Sequence, residues 1–365
     1  MAAPALCSLK GKREPPLMIP DIKISGKIIG SGQPLFIIAE IGVTCNYDLA
    51  ITKDLILAVK AAGGDAVKFI FWFPDEIMSD RSITYTYQTV NGPVTENMYE
   101  MLSKLRFTPD QWQEVQEFCQ KQGIIMFATV NSPGGVALAR FLGLEAIKLS
   151  SWDYNYLPLF PQVASLGKPV FMDLGPVRLW ELARVLDRLR AGGVRDLVLL
   201  HCSHSDNMAE INLRTIPYLQ QTLHTWMGFS AEGREDDLDL MAVALGAVVV
   251  EKRLTLSRNL PGHHHLIAKE PGEFAAYVAR LRRLQEALGT CTLKPSAADL
   301  KERRRWFRHL VAASDIPRGT LLTPELLACK RPEAGISPEF LDLFVGRVTT
   351  RNLRADEALT WQDVT

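Results

Sequence analysis

Residues 35–42 read LFIIAEIG, an apolar run that only Glu40 interrupts before the closing glycine. A continuous apolar run is typical of a strand buried on both faces, as in a parallel sheet, whereas a half-exposed strand alternates. Similar runs follow along the chain: DAVKFIFW (65–72), IIMFATV (124–130), EAIKLSS (145–151), PVFMDLG (169–175), DLVLLHC (196–202), TWMGFS (225–230) and VVVEKRLTL (248–256). The sequence therefore predicts an all-parallel sheet.

Helix-like segments separate these strands, at 48–62, 109–121, 178–193 and 237–245, and a last one spans 270–288. In that last segment the apolar residues recur at helical spacing and form one face: Phe274, Val278, Leu281, Leu284 and Leu288. Eight strand–helix units in about 250 residues are typical of the (β/α)8 TIM barrel. We therefore predict an α/β fold of this kind.

Composition divides the 365 residues into four predicted segments. Residues 1–30 form an N-terminal extension, and residues 31–289 form the barrel. Residues 290–306 are polar, end in the run KERRRW and predict a linker whose arginines face solvent. Residues 307–365 contain short strands punctuated by proline and glycine. A β-rich domain of about 60 residues is small for independent stability, so we expect it to pack against another surface.

Charge and cysteine usage exclude several classes of protein. The 41 Lys and Arg residues equal the 41 Asp and Glu residues, so there is no basic surplus for nucleic acid. The longest apolar run, 240–250, is too short for a membrane span, and the N-terminus lacks the apolar core of a signal peptide. Six scattered cysteines without paired spacing fit a reducing compartment. We predict a cytoplasmic protein with no nucleic-acid or membrane partner.

One connection is unusually long for a barrel. Residues 73–108 separate the second strand from its helix and carry Tyr85, Tyr87, Asn91 and Tyr99. Loops of this length are uncommon and usually functional, and this one follows a strand on the side where barrels place their active sites. We predict that it contributes to a binding site.

Several motifs, in order and spacing, resemble the sialic acid synthase family. In the barrel they are FIIAEIG (36–42), DAVKF (65–69), AIKLSS (146–151), GKPV (167–170), VLLHC (198–202), INLR (211–214), VEK (250–252) and PG (261–262). The tail, with DIPRGTLLTPELL, KRP (330–332), GISP (335–338) and VGR (345–347), resembles the family's antifreeze-like SAF domain. The resemblance implies a TIM barrel that condenses phosphoenolpyruvate with an acylated mannosamine-type sugar. It also implies a divalent metal such as manganese or magnesium, and a domain-swapped homodimer.

The resemblance assigns roles to individual residues. Glu40 matches an active-site glutamate, and Lys68 and Lys148 match the lysines that hold the anionic groups of phosphoenolpyruvate. The remaining matches in the substrate site are Ser151, Ser230, Glu251 and, lent by the partner's SAF domain, Arg331. Cationic and hydroxyl side chains at the carboxyl ends of barrel strands converge on one pocket, where an anion is their natural ligand.

The chain departs from the family where the metal and phosphate bind. The two histidines that ligate the metal in the family are replaced by Glu232 and Arg253, and arginine has no lone pair to offer a metal. His264 replaces an aspartate of the family, Asp173 replaces a phosphate-binding serine, and Asp206 replaces a tyrosine. We therefore predict that the family's metal site is absent, and we assign no cofactor from the sequence.

These replacements lead to two geometric predictions and one alternative. Glu232 and Arg253 should form an ion pair in the space of the metal, and Asp173 should pair with Lys148. A carboxylate about 4 Å from a bound phosphate otherwise costs about 4 kcal/mol at an effective dielectric near 20. The alternative is a relocated metal site with four ligands: His201, His204, His264 and Glu232.

Three functions remain open. The first is a transferase that condenses phosphoenolpyruvate, or a similar small anion, with a sugar-derived carbonyl in carbohydrate biosynthesis, independently of the family's metal. Lys68 and Lys148 then hold the anion, Arg253 polarises the carbonyl, and Glu40 or His264 moves protons. His204 and Asp206 complete the predicted substrate site.

The second function is an aldolase or lyase in which Lys148 or Lys68 forms a Schiff base and Asp173 shuttles the proton. The third is a pseudoenzyme that binds a sugar-like ligand or a protein partner. We favour the condensing enzyme because the lysines, Glu40 and Arg331 are kept. The sequence does not name the sugar.

Overall fold

The computed structural model describes residues 19–202, 204–205, 207–230, 232–290 and 292–365. The chain divides into two compact units, Met1–Gly289 and Thr290–Thr365. Among the described residues, no helix is both long enough and apolar enough to cross a membrane.

The first unit contains twelve of the described strands and ten of the described α-helices. In chain order the strands are β1 (Ile22–Ile24), β2 (Lys27–Ile29), β3 (Phe36–Glu40), β4 (Ala66–Ile70), β5 (Thr84–Thr89), β6 (Gly92–Asn97), β7 (Ile125–Thr129), β8 (Ile147–Leu149), β9 (Val170–Leu174), β10 (Leu197–His201), β11 (Trp226–Ser230) and β12 (Val249–Arg253). The helices are α1 (Leu49–Ala62), α2 (Pro74–Ile77), α3 (Met98–Lys104), α4 (Pro109–Gln122), α5 (Pro133–Leu142), α6 (Leu159–Ala164), α7 (Leu179–Ala191), α8 (Thr215–Leu223), α9 (Asp237–Ala244) and α10 (Pro271–Leu288).

Eight of these strands form a closed parallel barrel. Its order is β3, β4, β7, β8, β9, β10, β11 and β12, and β12 pairs with β3 to close it. Every predicted apolar run contains one of the eight strands, so the predicted (β/α)8 fold is confirmed. Helices begin and end where local chemistry dictates: the Asp48 carboxylate accepts the first amides of α1, and Gly63, at φ 78°, ends it.

The barrel interior changes character along each strand. Successive side chains of a strand point to opposite faces, so residues two apart share the interior. Near the amino ends this interior is apolar, and Phe36 of β3 stacks on Phe171 of β9 across the barrel at 6.2 Å. At the carboxyl ends of β3, β9 and β12 the inward-facing residues are Glu40, Asp173 and Glu251. The strands thus deliver charged groups to one end of the barrel.

A short hairpin closes the opposite end. Ile22, Ile24 and Ile29 of β1 and β2 are buried in the same cluster as the interior apolar residues. The Trp226 indole of β11 donates a hydrogen bond to the Pro20 carbonyl at 2.8 Å. Part of the predicted N-terminal extension is therefore a plug for the barrel.

The long connection after β4 is folded rather than irregular. It contains α2, the antiparallel hairpin β5–β6 and α3. Tyr85, Tyr87 and Thr89 lie on the half-buried face of β5, and the residues between them are exposed. The alternating segment TYTYQT followed by Asn91-Gly92 is a hairpin signal that we interpreted only as a loop.

The second unit has its own small core. It contains α11 (Ala297–Trp306), the antiparallel pair β13 (His309–Ala312) and β14 (Leu327–Lys330), and α12 (Leu341–Phe344). Leu310, Phe344 and Leu359 are fully buried in this core. Residues 297–306, which we predicted to lie in a linker, form a helix that a Ser296–Asp299 capping box begins.

Candidate functional site

A cavity of about 600 Å³ opens at the carboxyl ends of the barrel strands. Its walls combine two kinds of surface. One is charged and includes Glu40, Lys68, Asp173, Glu232, Glu251 and Arg253, and the other is largely apolar and includes Ile77, Tyr85, Met98, Met101 and Leu102. The apolar wall comes from the long connection after β4. This position agrees with the prediction that the segment contributes to a binding site.

Charged side chains of alternating sign run through the base of the cavity. Lys68 of β4 contacts Glu40 of β3, and its ammonium nitrogen lies 3.7 Å from Oε1 of Glu251. Lys148 of β8 donates to both carboxylate oxygens of Glu251 at 2.6 Å, and Oδ1 of Asp173 lies 2.9 Å from the same nitrogen. The predicted Asp173–Lys148 pair is present. Glu251, from the opposite side of the barrel, joins the two lysines.

Glu40 is fixed by its own strand end. Its Oε1 accepts a hydrogen bond from the Gly42 amide at 2.6 Å. Gly42 has no room for a side chain, because a Cβ there would lie 2.6 Å from the Ile70 nitrogen. The strand β4 that carries Lys68 therefore approaches the turn after Glu40 closely enough to bring the two charges together.

Burial and pairing shift the pKa values of these groups in different directions. Burial lowers the pKa of Lys68 to about 8, although Glu251 opposes this effect. Burial also acts to lower the pKa of Lys148, but the adjacent Asp173 and Glu251 carboxylates raise it above its usual value. Burial raises the pKa of Asp173 despite Lys148, whereas the two lysines outweigh burial and lower the pKa of Glu251. Lys148 therefore stays charged, and Asp173 is the carboxylate with the raised pKa.

Glu232 and Arg253 form the second predicted pair. The Arg253 guanidinium donates to Oε1 of Glu232 at 3.2 Å, and Nδ1 of His204 lies 3.7 Å from the same oxygen. His204 stacks on Trp152 with ring centroids 4.8 Å apart. The pair occupies the positions at which the resemblance places two metal ligands, and a guanidinium offers a metal no lone pair. The residues present do not fit the family's metal.

The alternative metal site is not assembled either. Within the described part of the chain, no group of three or more His, Cys, Asp or Glu side chains is arranged to hold a metal. Nε2 of His201 bonds the Ile211 carbonyl at 2.6 Å. The alternative that we considered, a relocated site with His201, His204, His264 and Glu232, is therefore not assembled, and His201 has a backbone partner instead.

The three consecutive histidines face different partners. His265 bonds the Thr255 hydroxyl at 2.7 Å and Asn46 at 3.1 Å, while His263 packs against Tyr85 and Tyr87 of the hairpin. Burial lowers the pKa of His263 and His265 to about 4 and that of His264 further. His263 and His264, which line the cavity, are thus neutral near pH 7 and weak bases.

Several polar atoms of the cavity walls are buried without a partner among the described residues. They include Nε1 of Trp72, Oδ1 of Asn131 and Nε of Arg253. A buried donor or acceptor without a partner costs free energy, so such atoms in a cavity are candidates for ligand contacts. We did not predict Trp72 and Asn131. Both residues could have been predicted from their position just after β4 and β7, because residues at the carboxyl ends of barrel strands line the active-site face.

The other predicted site residues are distributed as follows. Ser151, Ser230 and His204 line the same cavity. Asp206 lies outside the described residues. Arg331 belongs to the second unit, where its guanidinium donates to the Trp306 carbonyl at 2.8 Å.

Comparison with known proteins places this architecture in a family. Residues 55–292 match the NeuB family, and residues 307–365 match the SAF domain. The N,N'-diacetyllegionaminic acid synthase of Legionella pneumophila is 30% identical over 349 residues, covering 94% of this chain and 98% of that protein. The human N-acetylneuraminate-9-phosphate synthase is 27% identical, covering 92% of this chain and 94% of the human protein.

Among solved structures, the sialic acid synthetase of Leptospira borgpetersenii serovar Hardjo-bovis, in complex with citrate, superposes with a TM-score of 0.70. It is 26% identical and covers 78% of this chain and 95% of that chain. The family match spans more than half of this chain, and the named relatives cover nearly all of it. This protein therefore belongs to the NeuB family.

Proposed function

We propose that this protein condenses phosphoenolpyruvate with a sugar-derived carbonyl and does so without the family's metal. The observation that carries this proposal is the buried Lys68, which lines the cavity with Glu40 and Glu251, together with the fully buried Lys148, which bonds Glu251 and Asp173. Two ammonium groups at the carboxyl ends of β4 and β8, with β7 between them, suit a ligand with two anionic groups. The named relatives, all of them synthases of acidic sugars, support the same chemistry.

In the proposed reaction, the terminal methylene carbon of phosphoenolpyruvate attacks the carbonyl carbon of the acceptor and forms the new C–C bond. The carbonyl oxygen takes a proton, water adds at the phosphate-bearing carbon, and inorganic phosphate leaves. Arg253, whose Nε has no hydrogen-bond partner in the part of the chain that the structure describes, is the group proposed to polarise the acceptor carbonyl. Glu40, paired with Lys68, is proposed to move the protons, since the neutral His264 is a weak base.

The acceptor is proposed to lie against the wall formed by α2, β5 and α3. Ile77, Tyr85, Met98 and Met101 offer it apolar and aromatic surface. Arg331 of a partner's SAF domain is proposed to complete the site in a homodimer, and sedimentation of the purified chain tests that assembly. We also propose that the protein acts in the cytoplasm.

Metal independence gives a direct experiment. Protein treated with EDTA should release phosphate from phosphoenolpyruvate and an aldehyde sugar at the rate of untreated protein, because Arg253 and Glu232 neutralise each other where a cation would sit. Phosphate release and the composition of the product are measured.

A matched variant controls this experiment. The double variant Glu232→His, Arg253→His restores the ligand type that the resemblance implies, and it should bind manganese where the wild type does not. Loss of wild-type activity on chelation, with recovery on adding manganese, contradicts the proposed metal independence.

One observation favours a Schiff-base aldolase or lyase as the second candidate. The pKa of Lys68, lowered by burial to about 8, leaves a fraction of this amine neutral and nucleophilic near pH 7. If Lys68 is the nucleophile, borohydride should trap a covalent adduct with a carbonyl substrate, and the trapped fraction should rise as pH increases through about 8.

Mass spectrometry of the trapped protein locates the adduct. The variant Lys68→Arg keeps the charge but cannot form the adduct, and Lys121→Arg, on the exposed face of α4, is its control. An absence of any adduct on Lys68 across this pH range excludes this second candidate and leaves the condensing enzyme.

A further inference from the structure

The network at the base of the cavity holds more negative than positive groups. Among the described residues, Glu40, Glu251 and Asp173 share two ammonium groups, those of Lys68 and Lys148. Arg253 and Glu232 pair with each other and together add no net charge, although Arg253 also acts to lower the pKa of Lys68 and Glu251. With every group ionised, the network carries one excess negative charge, so an anion entering it meets repulsion as well as the two lysines.

The three carboxylates differ in how firmly they are held. Both oxygens of Glu251 lie 2.6 Å from the Lys148 nitrogen, and Glu40 uses one oxygen for the Gly42 amide and the other for Lys68. Oδ1 of Asp173 lies 2.9 Å from the Lys148 nitrogen, but it has no hydrogen-bond partner of good geometry among the described residues. Its side chain is 16% exposed, against 6% for Glu251. Asp173 therefore loses least when it takes a proton.

The surroundings of Asp173 also favour its neutral form. Strand β8 contributes Lys148, strand β12 contributes Glu251 and strand β4 contributes Lys68. Tyr154, after the turn that follows β8, is buried and Cys202, after β10, is half-buried, and the raised pKa of each keeps both uncharged near pH 7. Burial raises the pKa of Asp173 and the nearby Glu251 carboxylate raises it further, and together they outweigh Lys148 and Lys68, which act to lower it. Asp173 lines the cavity, so a dianion bound there adds a second negative neighbour.

We propose that Asp173 is a specificity-determining residue of the anion site, which takes its ligand together with a proton on this carboxyl group. The neutral carboxyl then donates its O–H to an oxygen of the anion, so Asp173 acts as a hydroxyl donor in the complex. The bond formed is one O–H on Asp173, and the proton comes from solvent. This inference rests on the proposed function in taking phosphoenolpyruvate as the anion.

The proposal fixes the sign of the pH dependence. Below the pKa of Asp173 in the free protein, the proton is already bound and affinity does not depend on this group. Above that pKa, each binding event must take up a proton, so affinity falls by up to tenfold for each pH unit. The fall stops above the pKa of Asp173 in the complex.

The experiment is calorimetric titration with phosphoenolpyruvate between pH 6 and 8.5, in two buffers of different ionisation enthalpy. On binding, wild type should take up as much as one proton more per ligand than Asp173→Asn. The ligand exchanges the same protons in both titrations, so its own contribution drops out of the difference. At pH 8.5, Asp173→Asn and Asp173→Ser should bind at least tenfold more tightly than wild type. Circular dichroism and thermal melts establish that each variant is folded.

Asp153 provides the matched control. It lines the same cavity in the turn after β8, and burial raises its pKa to about 6. Asp153→Asn should keep the proton uptake of wild type. If the loss of proton uptake appears in Asp153→Asn instead, or if wild type and Asp173→Asn take up equal numbers of protons, the inference is overturned while the proposed function stands. If neither wild type nor the folded variants bind phosphoenolpyruvate at any pH, the proposed function falls and the inference with it.

Discussion

The variant Lys148→Met should lose at least a thousandfold in affinity for phosphoenolpyruvate and all detectable turnover. Lys148 is the most buried charge of the site, and it holds Glu251 and Asp173 at once. Removing its ammonium group turns a nearly balanced cluster into one dominated by carboxylates. Breaking a buried ion pair on one side costs about 3–5 kcal/mol, because the remaining charge is left without a partner. Calorimetric titration and a phosphate-release assay measure both effects.

Stability must be followed in the same variant, since leaving buried carboxylates unpaired destabilises the fold as well as the proposed anion site. Thermal melts of Lys148→Met should show a lower transition, which lower pH partly restores as Asp173 takes a proton. Lys121→Met, on the exposed face of α4, removes a lysine that holds no buried carboxylate and should change neither property. Unchanged affinity in folded Lys148→Met would remove Lys148 from the anion site.

The barrel and its charged end could be predicted from sequence for one physical reason. A parallel strand buried on both faces must be apolar along its length, so the few polar residues at its carboxyl end stand out. Glu40, Lys68, Lys148 and Glu251 are recognisable on this basis. The Glu232–Arg253 pair also followed from sequence, since opposite charges replaced two residues that the resemblance places at a single ion.

The partners inside the cavity were harder to predict. Lys148 of β8 bonds Glu251 of β12 across the barrel, and these strands do not pair with each other. Such a contact depends on barrel diameter and side-chain length, which one sequence does not encode locally. The relocated metal site failed for a related reason. Residue types near one another in sequence do not reveal that His201 already bonds a backbone carbonyl and that His265 bonds Thr255.

A second buried ion pair, on the outer side of the barrel wall, should control stability. Lys252 and Asp239 are both fully buried, with Nζ 2.6 Å from Oδ2, and Tyr277 of α10 donates to the other oxygen of Asp239 at 2.8 Å. Lys252 also donates to the Glu235 carbonyl at 3.0 Å, in the segment between Glu232 and α9. The variant Lys252→Met removes the ammonium group that pairs with Asp239 and leaves the Tyr277 hydroxyl as the remaining donor to this buried carboxylate among the described side chains. We expect it to lower the free energy of unfolding by about 3–5 kcal/mol.

A double-mutant cycle separates the ion pair from the packing around it. Asp239→Leu alone should be as harmful as Lys252→Met, because it strands the ammonium group, whereas the double variant should recover most of the loss. Apolar replacement of a whole buried pair is often neutral or stabilising, since neither charge then needs to be desolvated. Denaturant unfolding of the four proteins gives the coupling free energy. Additive losses in the double variant would show that Lys252 and Asp239 act through separate contacts, with the Glu235 carbonyl and the Tyr277 hydroxyl, rather than through each other.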